Sequence, residues 1–304
     1  RTPMNAILGM LQLSLGEELT PTLLDYLKTA EESAKSLLDL LNDILDFSRM
    51  EAGKFTIERE PFHLREMLDD AVKSVSASAF QKGLELAVEV QPDIPDALIG
   101  DDLRLRQIIV NLVGNAVKFT EQGEVVVSVE AVRRWPNEVR LKFSVKDTGC
   151  GISPADQTKI FDAFAQADSS TTRGHGGVGL GLAITSELLR RMGSQVRLSS
   201  ELGKGSVFWF VMSFPRAASG TPPRAGVPLD KLRGLKVLVV DDNETNRRIL
   251  DETLKNWEMV PTLVASGSQA LSLLRQNNGG APLFSLAIVD ALMPQMDGLS
   301  LAQE

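Results

Sequence analysis

One cysteine, one tyrosine and two histidines among 304 residues set the first limits. The single thiol, Cys150, has no partner for an internal disulfide, so a reducing compartment, the cytoplasm, is expected. Basic charge is in the minority. Lys and Arg number 32 against 40 Asp and Glu, a net charge of −8. That excludes broad nonspecific binding to nucleic acid, and no nucleic-acid partner is expected. Long apolar runs are missing too, as is the pattern of a signal peptide. Any membrane attachment would come from segments outside this chain. The chain opens abruptly at Arg1 and stops inside a pattern at Glu304, so a piece of a longer protein is expected. A hydrophobic content of 43% and a charged content of 24% are ordinary for globular domains, and the length suits about two of them.

Glycine is the residue that is concentrated. Gly174, Gly176, Gly177, Gly179 and Gly181 fall within eight residues of the stretch Arg173–Ile184. Apolar positions then recur at helical spacing from Leu182 to Met192, and Gly193 follows as a C-cap. A glycine loop feeding a helix N-terminus suits an anion, because the amides and the helix dipole both point at it. A nucleotide phosphate is the first expectation, and a flexible surface loop is the alternative. Gly174-x-Gly176-x-x-Gly179 matches a dinucleotide fingerprint, with Glu201 downstream, but the polar run Gln166–Arg173 stands where that motif needs a strand. Lys204 is followed by Gly205, so the Walker pattern is absent.

Residues 1–60 predict a helical hairpin. Met4, Leu8, Leu11 and Leu15 repeat at spacings of 4 and 3, Gly16–Leu19 interrupts, and Thr20 with Pro21 reads as N-cap and first helical residue. Leu23, Leu27, Ala30, Ala34, Leu37, Leu41, Ile44 and Ser48 then form a heptad seam, broadened by Leu24, Leu38 and Leu45, and Gly53 closes the helix. Two such helices cannot cover both apolar faces alone. A homodimer forming a four-helix bundle would; packing of one hairpin on a globular domain is the alternative.

Residues 61–216 predict one α/β domain. Phe62–Phe80 and Asp101–Phe119 read as helices, and Leu84–Val90, Glu124–Val132, Val139–Val145, Val196–Ser199 and Ser206–Phe214 as strands. Asn111 and Asn115 lie four apart in the second helix and project from one face, with Lys118 following. Amides are poor helix formers and need partners when buried. A metal ion with phosphates would supply them; a solvent-facing pair is the alternative. A strand runs into Asp147-Thr148-Gly149-Cys150-Gly151, where an aspartate is placed to accept from a base amino group, or to make an ordinary Asx turn. Ile160, Phe161 and Phe164 form an aromatic patch. His63 reads as an exposed first-turn residue. An Asn/Asn/Lys helix, an aspartate–glycine turn and a glycine-rich lid together meet the needs of ATP with a metal ion.

Ala217–Pro228 is rich in Pro, Gly, Ala and Ser and reads as a linker, placing boundaries at 217–233 and 234–304. Strands then alternate with helices: Leu235–Val240, a helix from Glu244 to Trp257, Val260–Val264, Gly267–Gln276 and Leu283–Val289. This predicts a doubly wound parallel sheet. Asp241, Asp242 and Asp290 fall at strand C-termini, where such folds carry their sites. Clustered carboxylates repel unless a hard cation such as Mg²⁺ lies among them; separate strand-end caps are the alternative.

Four motifs in order resemble the core of a two-component sensor histidine kinase. Asn-Leu-Val-Gly-Asn-Ala-Val-Lys-Phe-Thr (111–120) resembles the N box, Asp147-x-Gly149-x-Gly151 the first glycine box, Phe161-Asp-Ala-Phe164 the F box and Gly177-Val-Gly179-Leu-Gly181-Leu the second glycine box. The resemblance implies an α/β sandwich shared with gyrase-like ATPases. It implies that Asn115 binds Mg²⁺, that Asn111 and Lys118 face the phosphates, that Asp147 binds adenine, and that 165–181, with Arg173, Gly177, Gly179, Leu180 and Gly181, form an ATP lid. Val178 departs from the usual Thr. Arg1-Thr2-Pro3-Met4-Asn5 resembles the tail of the phosphoacceptor box, which puts the histidine three positions before Arg1 and Thr2 where the family orients a water for dephosphorylation. ATP binding without self-phosphorylation at the family site is therefore expected of residues 1–304 alone. Residues 234–304 resemble a response-regulator receiver lacking its later strands, with Asp290 as phosphoacceptor and Asp241 and Asp242 as Mg²⁺ ligands. A hybrid kinase passing phosphate to its own or a separate receiver is expected. A gyrase- or chaperone-like ATPase is the first competitor, although Asn111 stands where it would need a general base. A non-catalytic nucleotide-sensing scaffold is the second.

Overall fold

The computed structural model describes residues 20–51, 55–163, 165, 179–217, 232–275 and 283–303, with positions 4, 7, 10, 11 and 14. Those five positions are helical. Helix α1 (Pro21–Glu51) follows with Thr20 as its N-cap, whose Oγ1 accepts from the Leu23 amide at 3.4 Å. Along α1 the seam divides. Ala34 is buried and Leu27 and Leu41 are partly covered. Leu23, Ala30, Leu37 and Ile44, one heptad apart, are all exposed. Gly53 lies outside the described residues. At the far end Met50 is 1% exposed and belongs to the core of the next domain.

That domain runs through β1 (Glu60–His63), α2 (Leu64–Gln81), β2 (Glu85–Val90), β3 (Ala97–Gly100), α3 (Asp102–Phe119), β4 (Glu124–Arg134), β5 (Glu138–Asp147), α4 (Gly181–Arg191), β6 (Arg197–Glu201) and β7 (Gly205–Pro215). Five strands form one sheet in the order β2-β4-β5-β7-β6; β2 and β4 are parallel and the rest antiparallel. One face is lined by Val125, Val127, Leu141, Phe143, Val145, Phe208 and Phe210, all buried, and the three helices cover it. The result is a two-layer α/β sandwich.

Helix α3 is central to this core. Asp101 caps it, its Oδ1 accepting from the Arg104 amide at 3.0 Å. Leu105, Ile108, Ile109, Leu112, Val113, Ala116 and Val117 form the buried stripe. Each of its Leu, Ile and Val side chains contributes about 1.5–3 kcal/mol by leaving water. Its last carbonyls are held from another element. Lys82, at the end of α2, donates through Nζ to the oxygens of Val117 at 2.9 Å, Lys118 at 2.7 Å and Thr120 at 3.3 Å. A cation there also opposes the negative end of the helix dipole. Lys82→Met keeps the stem and removes the donors. Its expected cost is about 1.5–3 kcal/mol, the range for hydrogen bonds to charged groups, read from chemical denaturation.

Two short strands depart from the sequence expectation. Phe62 does not start a helix; it lies in β1, which pairs with β3, and its ring meets Phe214 edge-on at 5.9 Å. His63 is not an exposed first-turn residue. It ends β1, its side chain is 19% exposed, and Nδ1 lies 3.0 Å from Asp96 Oδ2.

After residue 232 come β8 (Lys236–Val240), α5 (Glu244–Asn256), β9 (Val260–Val264), α6 (Gly267–Arg275), β10 (Leu286–Val289) and α7 (Gly298–Gln303). The sheet is parallel in the order β10-β8-β9. Alternation along the central strand explains its apolar run. Val237 and Val239 pack with Leu254 of α5, while Leu238 and Val240 pack with Ala270 of α6 and Leu301 of α7. Both faces are covered, as in a doubly wound fold.

Candidate nucleotide and phosphoacceptor sites

Asn111, Asn115 and Lys118 lie at i, i+4 and i+7 on the flank of α3, each half-buried. The Asn111 Nδ2 donates to Thr185 Oγ1 of α4 at 2.6 Å, and Thr185 is 1% exposed. Gly181, the first residue of α4, lies against the same amide; a Cβ there would sit 2.3 Å from Asn111 Oδ1. Leu180 occupies the N-cap position with no side-chain cap, so the first amides of α4 are left for another acceptor. Burial lowers the Lys118 pKa, because it disfavours the ammonium. An anion beside Lys118 would reverse that penalty.

Asp147 ends β5 and is 6% exposed. Its Oδ1 accepts from the amides of Gly149 at 2.9 Å and Ser206 at 3.1 Å. Burial pushes its pKa up, and the bonds from Gly149 and Ser206 pull it back. The turn that follows is wedged between two elements. A Cβ on Gly149 would meet the Phe119 carbonyl oxygen of α3 at 2.5 Å, and one on Gly151, whose φ is +69°, would meet the Glu201 carbonyl oxygen at 2.1 Å. Asp147 is thereby fixed beside the carboxyl end of α3, while Asn111 reaches the amino end of α4. Phe161 packs edge-on to Phe208 at 6.4 Å. Gly179 precedes Leu180 with a φ of +74°. Arg173, Gly177 and Phe164 lie outside the described residues, as does Thr2.

Asp241, Asp242 and Asp290 meet at the carboxyl ends of the neighbouring parallel strands β8 and β10. One carboxylate oxygen from each lies within 4.8 Å of those of the other two. Asp241 is 7% exposed. Burial raises its pKa, and the charges of Asp290 and Asp242 add to that. A donor set of crowded, acceptor-only oxygens is what a hard divalent cation takes.

Three family profiles cover the chain: the His Kinase A (phospho-acceptor) domain at residues 1–53, the histidine kinase-, DNA gyrase B- and HSP90-like ATPase at 100–216, and the response regulator receiver domain at 237–304. The signal transduction histidine-protein kinase BarA of Escherichia coli is 49% identical over 210 residues, which is 69% of this chain and 23% of that protein. The chain belongs to the hybrid sensor histidine kinases. Sensor histidine kinase GacS of Pseudomonas protegens is 43% identical over 84% of this chain and 28% of its own length. The sensory/regulatory protein RpfC of Xanthomonas campestris is 34% identical over 100% of this chain and 45% of its own length. The crystal structure of full-length ShkA in complex with AMPPNP superposes with a TM-score of 0.70 at 34% identity, covering 96% of this chain and 57% of that one. This hybrid histidine kinase chain therefore spans less than half the length of the curated relatives named here. Its ATPase-type domain is a nucleotide-binding one. No helix among the described residues is long and apolar enough to cross a membrane.

Some residues that support the candidate nucleotide site carry no signal in the motifs. Thr185 reads as one of several polar residues in an amphipathic helix, and Ser206 as the start of a strand. The Asn111–Thr185 contact makes Gly181 a sharp test. Gly181→Ala should push the Asn111 amide off Thr185 and weaken nucleotide binding about tenfold, or 1.4 kcal/mol, in a fluorescent-ATP titration. Gly114→Ala is the matched control in α3. Nothing lies within 4 Å of a Cβ there, so it should stabilise the helix by about 0.5–1 kcal/mol and leave binding unchanged.

Proposed function

We propose that this chain is the catalytic core of a sensor kinase that binds ATP with Mg²⁺ between α3, the Asp147 turn and α4. The γ-phosphoryl then moves in line to a histidine upstream of Arg1, and from there to Asp290 or to a separate receiver. The observation that carries this is that one helix meets both the Asp147 turn and helix α4. The carboxyl end of α3 abuts the Asp147 turn, and its Asn111 bonds to Thr185, one turn into the uncapped helix α4. A base and a phosphate chain need such a separation of an acceptor from a set of donors.

In this proposal Asp147 accepts from the adenine amino group, with Gly149 and Gly151 holding the turn. Asn111 and Lys118 donate to phosphate oxygens. Asn115 would offer an amide oxygen to Mg²⁺, which would supply neutralisation of phosphate charge. Positioning and charge neutralisation are most of what phosphoryl transfer requires of a protein. Gly179, Leu180 and Gly181 join Arg173 and Gly177 in holding the phosphate chain. At the receiver, Asp241, Asp242 and Asp290 would hold a second Mg²⁺, and the Asp290 carboxylate would take the phosphoryl group as its bond to the histidine nitrogen breaks. Thr2 orients water in the reverse, phosphatase direction. The exposed stripe of Leu23, Ala30, Leu37 and Ile44 is the seam of a homodimeric four-helix bundle. ATP and Mg²⁺ are cytosolic reagents and the lone cysteine suits that compartment, so this region works in the cytosol whatever anchors the longer protein.

The test restores the upstream residues and adds γ-labelled ATP. Acid-labile label on histidine, chased onto Asp290 and retained on histidine in Asp290→Asn, is the expected result. Free phosphate without phosphohistidine would mean an ATPase, and neither product would mean a scaffold.

A further inference from the structure

The receiver half touches the ATP-binding half at one edge. Asn246 in the first turn of α5 donates through Nδ2 to Glu85 Oε2 of β2 at 2.9 Å. Two residues on, Arg248 pairs with Glu89 at 3.0 Å. Strand β2 is the edge strand of the five-stranded sheet, and Glu85 begins it. A cavity of about 400 Å³ opens beside this contact, between β2, β4 and the later turns of α5, and is lined by Glu89, Ser128, Ile249 and Glu252 among others. The two half-domains are thus joined by polar contacts at a narrow seam.

The position of Glu85 is the unusual feature. Its partner Asn246 lies one turn from Asn243, whose backbone amide bonds Asp241 Oδ1 at 2.8 Å and whose side chain caps α5. Glu85 therefore approaches the acidic cluster from across the seam. Burial raises its pKa, the Asn246 bond lowers it, and the charges of Asp290, Asp241 and Asp242 raise it again. Four carboxylates from two domains repel one another, and the Asn246 side chain, which bonds both Glu85 and Asp241, stands between two of them. A divalent cation among the three aspartates cuts their summed charge from −3 to −1 and so relieves most of the repulsion on Glu85.

We propose that Glu85 adds its charge to the cation site of the receiver from outside the ligand set, so that a divalent cation bound at Asp241, Asp242 and Asp290 strengthens docking of the receiver on β2. The inference rests on the reading of that cluster as a cation site. Linkage makes the effect reciprocal: the docked receiver holds the cation more tightly than the undocked one. Glu85 is a positioning residue here, acting through the field at the site. Phosphoryl transfer to Asp290 would add negative charge to the cluster, so the phosphorylated receiver should release β2.

The experiment uses the 304-residue chain with Mn²⁺ as a paramagnetic probe for Mg²⁺. Glu85→Gln keeps an oxygen for Asn246 and removes the charge. Its Mn²⁺ affinity at the receiver should fall about fivefold, at the lower end of typical coupling strengths. In the wild type, Mg²⁺ should slow amide exchange in both β2 and α5; in Glu85→Gln it should not slow β2. Glu89→Gln, which weakens docking without touching the cluster or Glu85, should also lower Mn²⁺ affinity. Equal affinities in all three proteins, with exchange at β2 indifferent to Mg²⁺, would overturn the coupling. Wild-type affinity no better than that of Asp241→Asn would overturn the cation site itself, and the coupling with it.

Discussion

Asp147→Ala is expected to weaken ATP binding by about 10- to 100-fold, the equivalent of one hydrogen bond to a charged acceptor. The same change leaves the amides of Gly149 and Ser206 without their acceptor in a buried place. That should cost a further 1–3 kcal/mol or so of stability. Asp147→Asn separates the two effects. Its oxygen can still take both amides, so stability should stay within about 1 kcal/mol of wild type. Its NH₂ then opposes the adenine amino group, donor against donor. Discrimination between ATP and its inosine counterpart, measured by competition against a fluorescent nucleotide, should be strong in the wild type and lost in Asp147→Asn. Unchanged discrimination would remove Asp147 from the base site.

Asn115→Ala should have the largest effect on Mg-dependent binding. Affinity for Mg·ATP is expected to fall by about 100-fold or more, some 2.7 kcal/mol. Unfolding cannot account for such a loss. Alanine is a better helix former than asparagine by roughly 0.6 kcal/mol, and the Asn115 side chain bonds to no described residue, so the variant should be as stable as wild type or slightly more so. Residual binding measured in EDTA should match between the two proteins. If instead Mg·ATP affinity is unchanged, the amide is a surface residue and the metal lies elsewhere.

How much of this was legible in the sequence depends on distance along the chain. Helix α3 was readable almost to the residue, because Asp101 caps it and seven apolar side chains keep its period. The alternating strands β4 and β5 and the buried run of β8 were equally open to view. The four-residue strands β1 and β3 are not, since Pro61 and the short span hide their period, and Phe62 and His63 read as the start of a helix for that reason. Local motifs exposed Asp147 and the asparagine pair. What supports them comes from afar. Thr185 reaches Asn111 across 74 positions, and Asn246 reaches Glu85 across 161. No periodicity or spacing encodes such contacts. Lys82 is a similar case, a lysine just past one helix whose work is at the end of another.

The account stands most directly on a calorimetric titration of the chain with AMPPNP, in Mg²⁺ and in EDTA, for wild type, Asn115→Ala and Asp147→Asn. Saturable one-site binding that tightens with Mg²⁺ in the wild type is predicted. Asn115→Ala should lose the Mg²⁺ increment alone, and Asp147→Asn should lose affinity in both buffers. Binding that ignores Mg²⁺ and both substitutions, or no binding at all, would contradict the pocket from which every other step follows.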